Sequence, residues 1–133
     1  MLKYDIIKDE VFMGEQPPIL YIYGSTKDFH ELTIALLPFL KINHYCITNH
    51  DIGIFNDEEK IITMNNESNI GITIFENGEK IYIELDRDNW INIIIALVGL
   101  SLEPCHIYSD DDDFQWLGNL LNNLRYTVIL ESI

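Results

Sequence analysis

Apolar positions in this chain recur at two spacings, and the switches between them mark its elements. Residues 19–23 read ILYIY, apolar enough for a central strand. From 27 to 37 the period lengthens. Phe29, Leu32, Leu36 and Leu40, with Leu37 beside them, share one helical face, while His30, Glu31 and Thr33 lie off it. Ser25 or Thr26 offers an N-cap, and Asp28 stands where the positive helix end favours a carboxylate. Pro38 has no N–H to donate, so the helix ends or kinks there. A second helix is predicted over 88–98. Trp90, Ile93, Ile94 and Leu97 make its face, but Ile91, Ile95 and Val98 populate the flanks. A helix apolar most of the way round is covered on several sides or meets another subunit. A third helix, with Phe114, Leu117, Leu121 and Leu124 aligned, follows an acidic start.

The remaining runs predict strands. An edge strand is expected over 3–7, and Gly14 and Pro17-Pro18 then break regular structure. Residues 44–48 predict a strand, with 52–55 pairing back across Asn49-His50-Asp51. Strands over 60–64, 70–75 and 80–85 predict an antiparallel meander. Glu76-Asn77-Gly78-Glu79 supplies its last turn, because Asn and Gly tolerate the positive φ of a type I′ hairpin. Residues 125–131 alternate as a final strand.

Residues 21–47 echo 82–108 at an offset of 61. Tyr21 falls on Tyr82, Ile22 on Ile83, Phe29 on Trp90, Ile34-Ala35-Leu36 on Ile95-Ala96-Leu97, and Pro38 on Gly99. The expected fold is α+β, one domain over 1–133. A mixed, mostly antiparallel sheet of about seven strands carries three helices on one face. The two similar β-α-β units are read as parallel crossovers or as halves of a pseudo-symmetric sheet.

Charge changes the picture more than composition does. Eight Lys plus Arg stand against 22 Asp plus Glu, a net of −14. Such a surface repels nucleic acid and anionic membrane and attracts basic partners, with salt-sensitive association. Solubility alone is the plainer explanation, but the excess is large for 133 residues. No signal peptide or membrane-length apolar run is read, so the expectation is a cytoplasmic protein.

Candidate chemistry is sparse. Asp110, Asp111, Asp112 and Asp113 are the densest acidic run, with Trp116 close behind and Asp57, Glu58 and Glu59 as a second run. Carboxylates there could occupy a basic cleft as phosphates do, with Trp116 as an anchor. They could equally be a solvated helix cap; the spacing and glycine of a calcium loop are missing. His44, Cys46, Cys105 and His106 would form a metal site only if their strands were neighbours, and His50 stands nearby in sequence. No C-x-x-C or H-x-x-x-H pair supports one, and two reduced cysteines are expected. Gly24-Ser25-Thr26-Lys27 is not a phosphate loop, and no nucleophile elbow occurs. His30 with Glu31, or His50 with Asp51, is not a catalytic pair, since sequence neighbours diverge. The Trp90, Ile91, Ile94, Ile95 and Val98 surface is either a homodimer face or, the preferred reading, buried under the third helix.

The strand–turn–helix YIYGSTKDFHELTIALL, the two acidic runs, the size and the charge resemble the immunity proteins of bacterial toxin systems, including contact-dependent inhibition. That resemblance implies a non-catalytic binding protein, without cofactor, that covers or plugs a toxin, often a basic nuclease. No residue roles carry over. The alternatives are a phage-encoded acidic inhibitor of a host nuclease or defence protein, and a small metal protein or enzyme using His44, Cys46, Cys105 and His106.

Overall fold

The computed structural model describes residues 2–42, 45–48, 54–55, 61–66, 71–74, 80–108 and 127–133. Among them the order is β1 (Leu2–Ile7), β2 (Ile19–Gly24), α1 (Thr26–Leu36), a 3-10 turn (Leu37–Leu40), β3 (Cys46–Thr48), β4 (Ile54–Phe55), β5 (Ile61–Asn65), β6 (Gly71–Ile74), β7 (Lys80–Glu84), α2 (Arg87–Leu102), β8 (His106–Tyr108) and β9 (Thr127–Ser132). The class is α+β. The described strands form two mixed sheets, not one: β4-β1-β2-β9-β8 and β3-β5-β7-β6. The third helix expected around Phe114 to Leu124 lies outside the described residues.

The helix starts follow from local chemistry. The Asp28 N–H donates to Ser25 Oγ at 3.1 Å, and the Ser25 N–H donates back to Asp28 Oδ2 at 2.9 Å. This capping box satisfies two backbone donors at once. Burial pushes the Asp28 carboxyl up, but hydrogen bonds, the one from Ser25 among them, outweigh it and leave it below the ordinary range. At α2, Asp86 caps by accepting from the Asn89 N–H at 3.0 Å. Pro38 ends the α-helix as expected, and the chain tightens into the 3-10 turn. α2 runs past its expected end, through Gly99 to Leu102. Leu100, fully buried, holds the extra turn against glycine's helix cost of about 1 kcal/mol.

Two side chains depart from the predicted α1 face. Thr33 is buried, its hydroxyl donating to the Phe29 carbonyl at 2.8 Å, which removes the cost of burying it. Leu37 is exposed, because Pro38 rotates the turn and directs Phe39 inward instead.

Strand neighbours depart further. β6 and β7 are the antiparallel pair expected around Asn77-Gly78, with Ile74 opposite Ile81, although the turn itself lies outside the described residues. β5, however, runs parallel to β7, so 60–85 is not an antiparallel meander. β3 pairs with β5, and β4 pairs in parallel with β1 in the other sheet. The hairpin expected across Asn49 to Asp51 therefore does not form, and β1 is not an edge strand. The alternation of side chains selects which face is buried, but every backbone offers the same ladder groups, so it does not select neighbours.

The repeat is real and larger than the sequence suggests. Each unit crosses between sheets: β2–α1–β3 leaves the five-stranded sheet for the four-stranded one, and β7–α2–β8 returns. Neither unit is a parallel crossover within one sheet. The order β8-β9-β2-β1 matches β3-β5-β7-β6, with the same antiparallel, parallel, antiparallel sequence of pairings. The register agrees as well. Tyr4, Ile22, Leu130 and Ile107 form one row, and Ile72, Ile83, Met64 and Ile47 form its counterpart. Ile47 thus corresponds to Ile107, one residue off the gapless alignment.

Both sheets and both helices share one core. Leu2, Tyr4, Ile22 and Val128 meet Ile47, Met64 and Ile83 through Phe29, Leu36, Trp90, Leu97 and Leu100. Phe39 stacks on Trp90 with ring centres 4.4 Å apart. Among the described residues no helix is long and apolar enough to cross a membrane.

Candidate functional site

The rows flanking Tyr4–Ile22–Leu130–Ile107 point to the opposite face of the five-stranded sheet, since side chains alternate along each strand. One row is Asp5, Tyr21, Ile129 and Tyr108; the other is Lys3, Tyr23, Glu131 and His106. Four strands from both ends of the chain therefore assemble one outer surface.

That surface is aromatic and acidic. Tyr21 stacks on Tyr23 with ring centres 4.6 Å apart, and His106 leans on Tyr108 at 5.0 Å. Phe12 packs on Tyr21 at 4.8 Å. It is delivered by a tight hairpin in the β1–β2 connection. Phe12 and Glu15 exchange two backbone hydrogen bonds, and Met13 and Gly14 both have positive φ, as a type I′ turn requires. Tyr21, Tyr23, Tyr108 and Glu131 are half-buried; Lys3, Asp5 and His106 are exposed. Ile129 between them is fully buried.

The Tyr21 hydroxyl donates to Glu131 Oε1 at 2.5 Å. Burial raises the Tyr21 pKa, and the Glu131 bond and the charges of Glu131, Tyr23 and Asp5 raise it further. Tyr21 therefore stays protonated across the physiological range and cannot serve as a base. The carboxylates and ring faces suit a different task, holding a Lys or Arg side chain of a partner by charge and cation–π contact. Sequence reasoning missed this cluster. Its one local signal is Tyr-x-Tyr at 21 and 23, two aromatic residues on the less buried side of a strand.

Asp57, Glu58, Glu59, Asp110, Asp111, Asp112, Asp113 and Trp116 lie outside the described residues, as do His44 and His50. In chain order the two acidic runs occupy matching connections, β3 to β5 and β8 to β9. Cys46 and Cys105 are free thiols. Cys46 lies on β3 and His106 on β8, outermost strands of different sheets, so the strands needed for a metal site are not neighbours. Between the two halves, the register makes Cys46 the equivalent of His106 and Tyr45 the equivalent of Cys105, one residue off the offset of 61. No group of three or more His, Cys, Asp or Glu able to hold a metal ion occurs among the described residues. Of the surface expected on α2, Trp90 and Ile94 are buried in the core and Ile91, Ile95 and Val98 are exposed; the helix expected to cover them lies outside the described residues.

Comparison with protein-family models, with curated proteins and with solved structures returns no match.

Proposed function

We propose that this chain is a non-catalytic binding protein for a basic protein partner, and that the partner is a nuclease-type toxin domain that it neutralises. The observation that carries the reading is the charge, 22 acidic against 8 basic side chains. An excess of that size steers a cationic partner and opposes nucleic acid. The stacked tyrosines beside Asp5 and Glu131 support it, since rigid aromatic side chains flanked by carboxylates are suited to anchor Lys and Arg. The acidic runs Asp110 to Asp113, with Trp116, and Asp57 to Glu59 are assigned to the same contact from their charge density. A phage-encoded inhibitor of a host nuclease would use identical physics and differ only in its partner.

The test is capture of partners from the native organism at low and then moderate salt, followed by a nuclease assay of what is retained. The expected result is one basic protein whose activity falls on addition of this chain. Asp111→Lys with Asp112→Lys should slow association and flatten its salt dependence. A retained protein that is not basic, or whose activity is unchanged by binding, overturns the reading.

A further inference from the structure

α2 carries an exposed apolar stripe. Ile91, Ile95, Val98 and Leu102 fall within an arc of roughly 60° at helical spacing. All four are exposed, Ile95 at 66% and Leu102 at 77%. The corresponding stripe of α1 is apolar and exposed only in its middle, at Ile34 and Leu37, and polar at both ends. His30 stands where α2 has Ile91, and Lys41 follows the 3-10 turn where α2 has Leu102. Only the α2 stripe is apolar from end to end.

Two further observations bear on what covers it. From Asn89 to Leu102 there is no charged residue, in a chain of net −14. A basic partner would be met by carboxylates. An uncharged face is what a strongly acidic chain needs to approach another acidic chain, since like charges set against each other across a contact repel. Beside the stripe is Gly99, where a Cβ would meet nothing within 4 Å. Glycine lowers helix stability, and packing among the described residues does not require it. A second helix crossing closely at that point would.

We propose that the α2 stripe is the contact between two copies of this chain, the two α2 helices crossing near Gly99 about a twofold axis. In such a contact each residue of the patch meets the same patch of its partner. This does not depend on the inhibitor reading, and the carboxylates of the sheet surface take no part in it.

Sedimentation of the purified full chain over a range of micromolar concentrations tests the idea. The expected result is a reversible dimer. Ile95→Glu should weaken it about 100-fold or more by placing two carboxylates in an apolar contact, with unchanged circular dichroism. Leu102→Glu, at a still more exposed position, is the second variant should the first lose its fold. Gly99→Ala gives a signature that a structural role would not: the thermal midpoint of the dissociated chain rises while dimer affinity falls. A wild-type chain that sediments as a monomer throughout overturns the proposal. So does a dimer that survives whichever Glu substitution keeps its fold.

Discussion

Asn66 and Ser132 occupy matching positions and do the same work in the two halves. Asn66 Oδ1 accepts from the Tyr45 N–H at 2.9 Å, and Ser132 Oγ accepts from the Cys105 N–H at 3.0 Å. Each residue's own N–H donates to the carbonyl of that same partner. Each side chain also donates to backbone just upstream: Asn66 to Phe39 and Ile42, and Ser132 to Glu103. Tyr45 and Cys105 are where the chain comes off its helical segment and starts an outermost strand. The two side chains fix where that strand begins, and so which residues face the core. Removing either leaves backbone groups without partners, at about 1–3 kcal/mol. Ser132→Ala and Asn66→Ala should each lower unfolding free energy by that amount in urea titrations.

The helix caps should matter equally in the two halves. Ser25→Ala and Asp86→Ala should each cost about 1 kcal/mol, and their effects should add, since each acts on its own helix start. Asp28 has its carboxyl held low by the hydrogen bonds it accepts, those of the capping box among them, so their contribution is present above the ordinary carboxylate range and is lost as pH falls through the lowered value. Asp28→Asn should remove that part of the acid sensitivity. Thermal midpoints measured from neutral to acid pH check this.

Tyr21 predicts the opposite edge of the pH profile. Its folded pKa lies above the ordinary 10.0, so its contribution is complete below pH 10.0 and declines as pH climbs beyond it. Tyr21→Phe should flatten the alkaline limb of the stability curve. It should also lower stability at neutral pH by about 0.5–3 kcal/mol, through loss of the bond to Glu131. Denaturant midpoints of both proteins at neutral and alkaline pH decide it.

Trp90 is 1% exposed and stacks on Phe39. Trp90→Ala should cost about 3–5 kcal/mol, the range for emptying a large buried aromatic site. Trp90→Phe should cost far less, since Phe29 fills the matching position of α1. Chemical denaturation of the two variants should separate them clearly.

The aromatic and acidic face of the five-stranded sheet was the least legible part of the chain. Tyr21 and Tyr23 are visible as an alternating pair, but Glu131, which accepts from Tyr21, is 110 residues away. Asp5 and Tyr108 come from other strands again, and no local pattern links these residues. The acidic runs at 57–59 and 110–113, conspicuous in sequence, lie outside the described residues.

What the sequence determined by itself was local. The period of Phe29, Leu32 and Leu36 set the inward face of α1, and Ser25, Asp28 and Pro38 set its limits. The apolar run at 19–23 and the alternation around Asn77-Gly78 set strands and one pairing. These outcomes rest on interactions between residues a few positions apart, which spacing encodes directly. Tertiary structure alone decided that β5 lies parallel to β7, that each β-α-β unit crosses between sheets, and that the Ile95 side of α2 is left outside the core. Strand ladders are built from backbone groups common to every residue. Their partners are therefore chosen by how the whole set of buried rows closes over Trp90 and Phe29, and no single run of sequence records that choice.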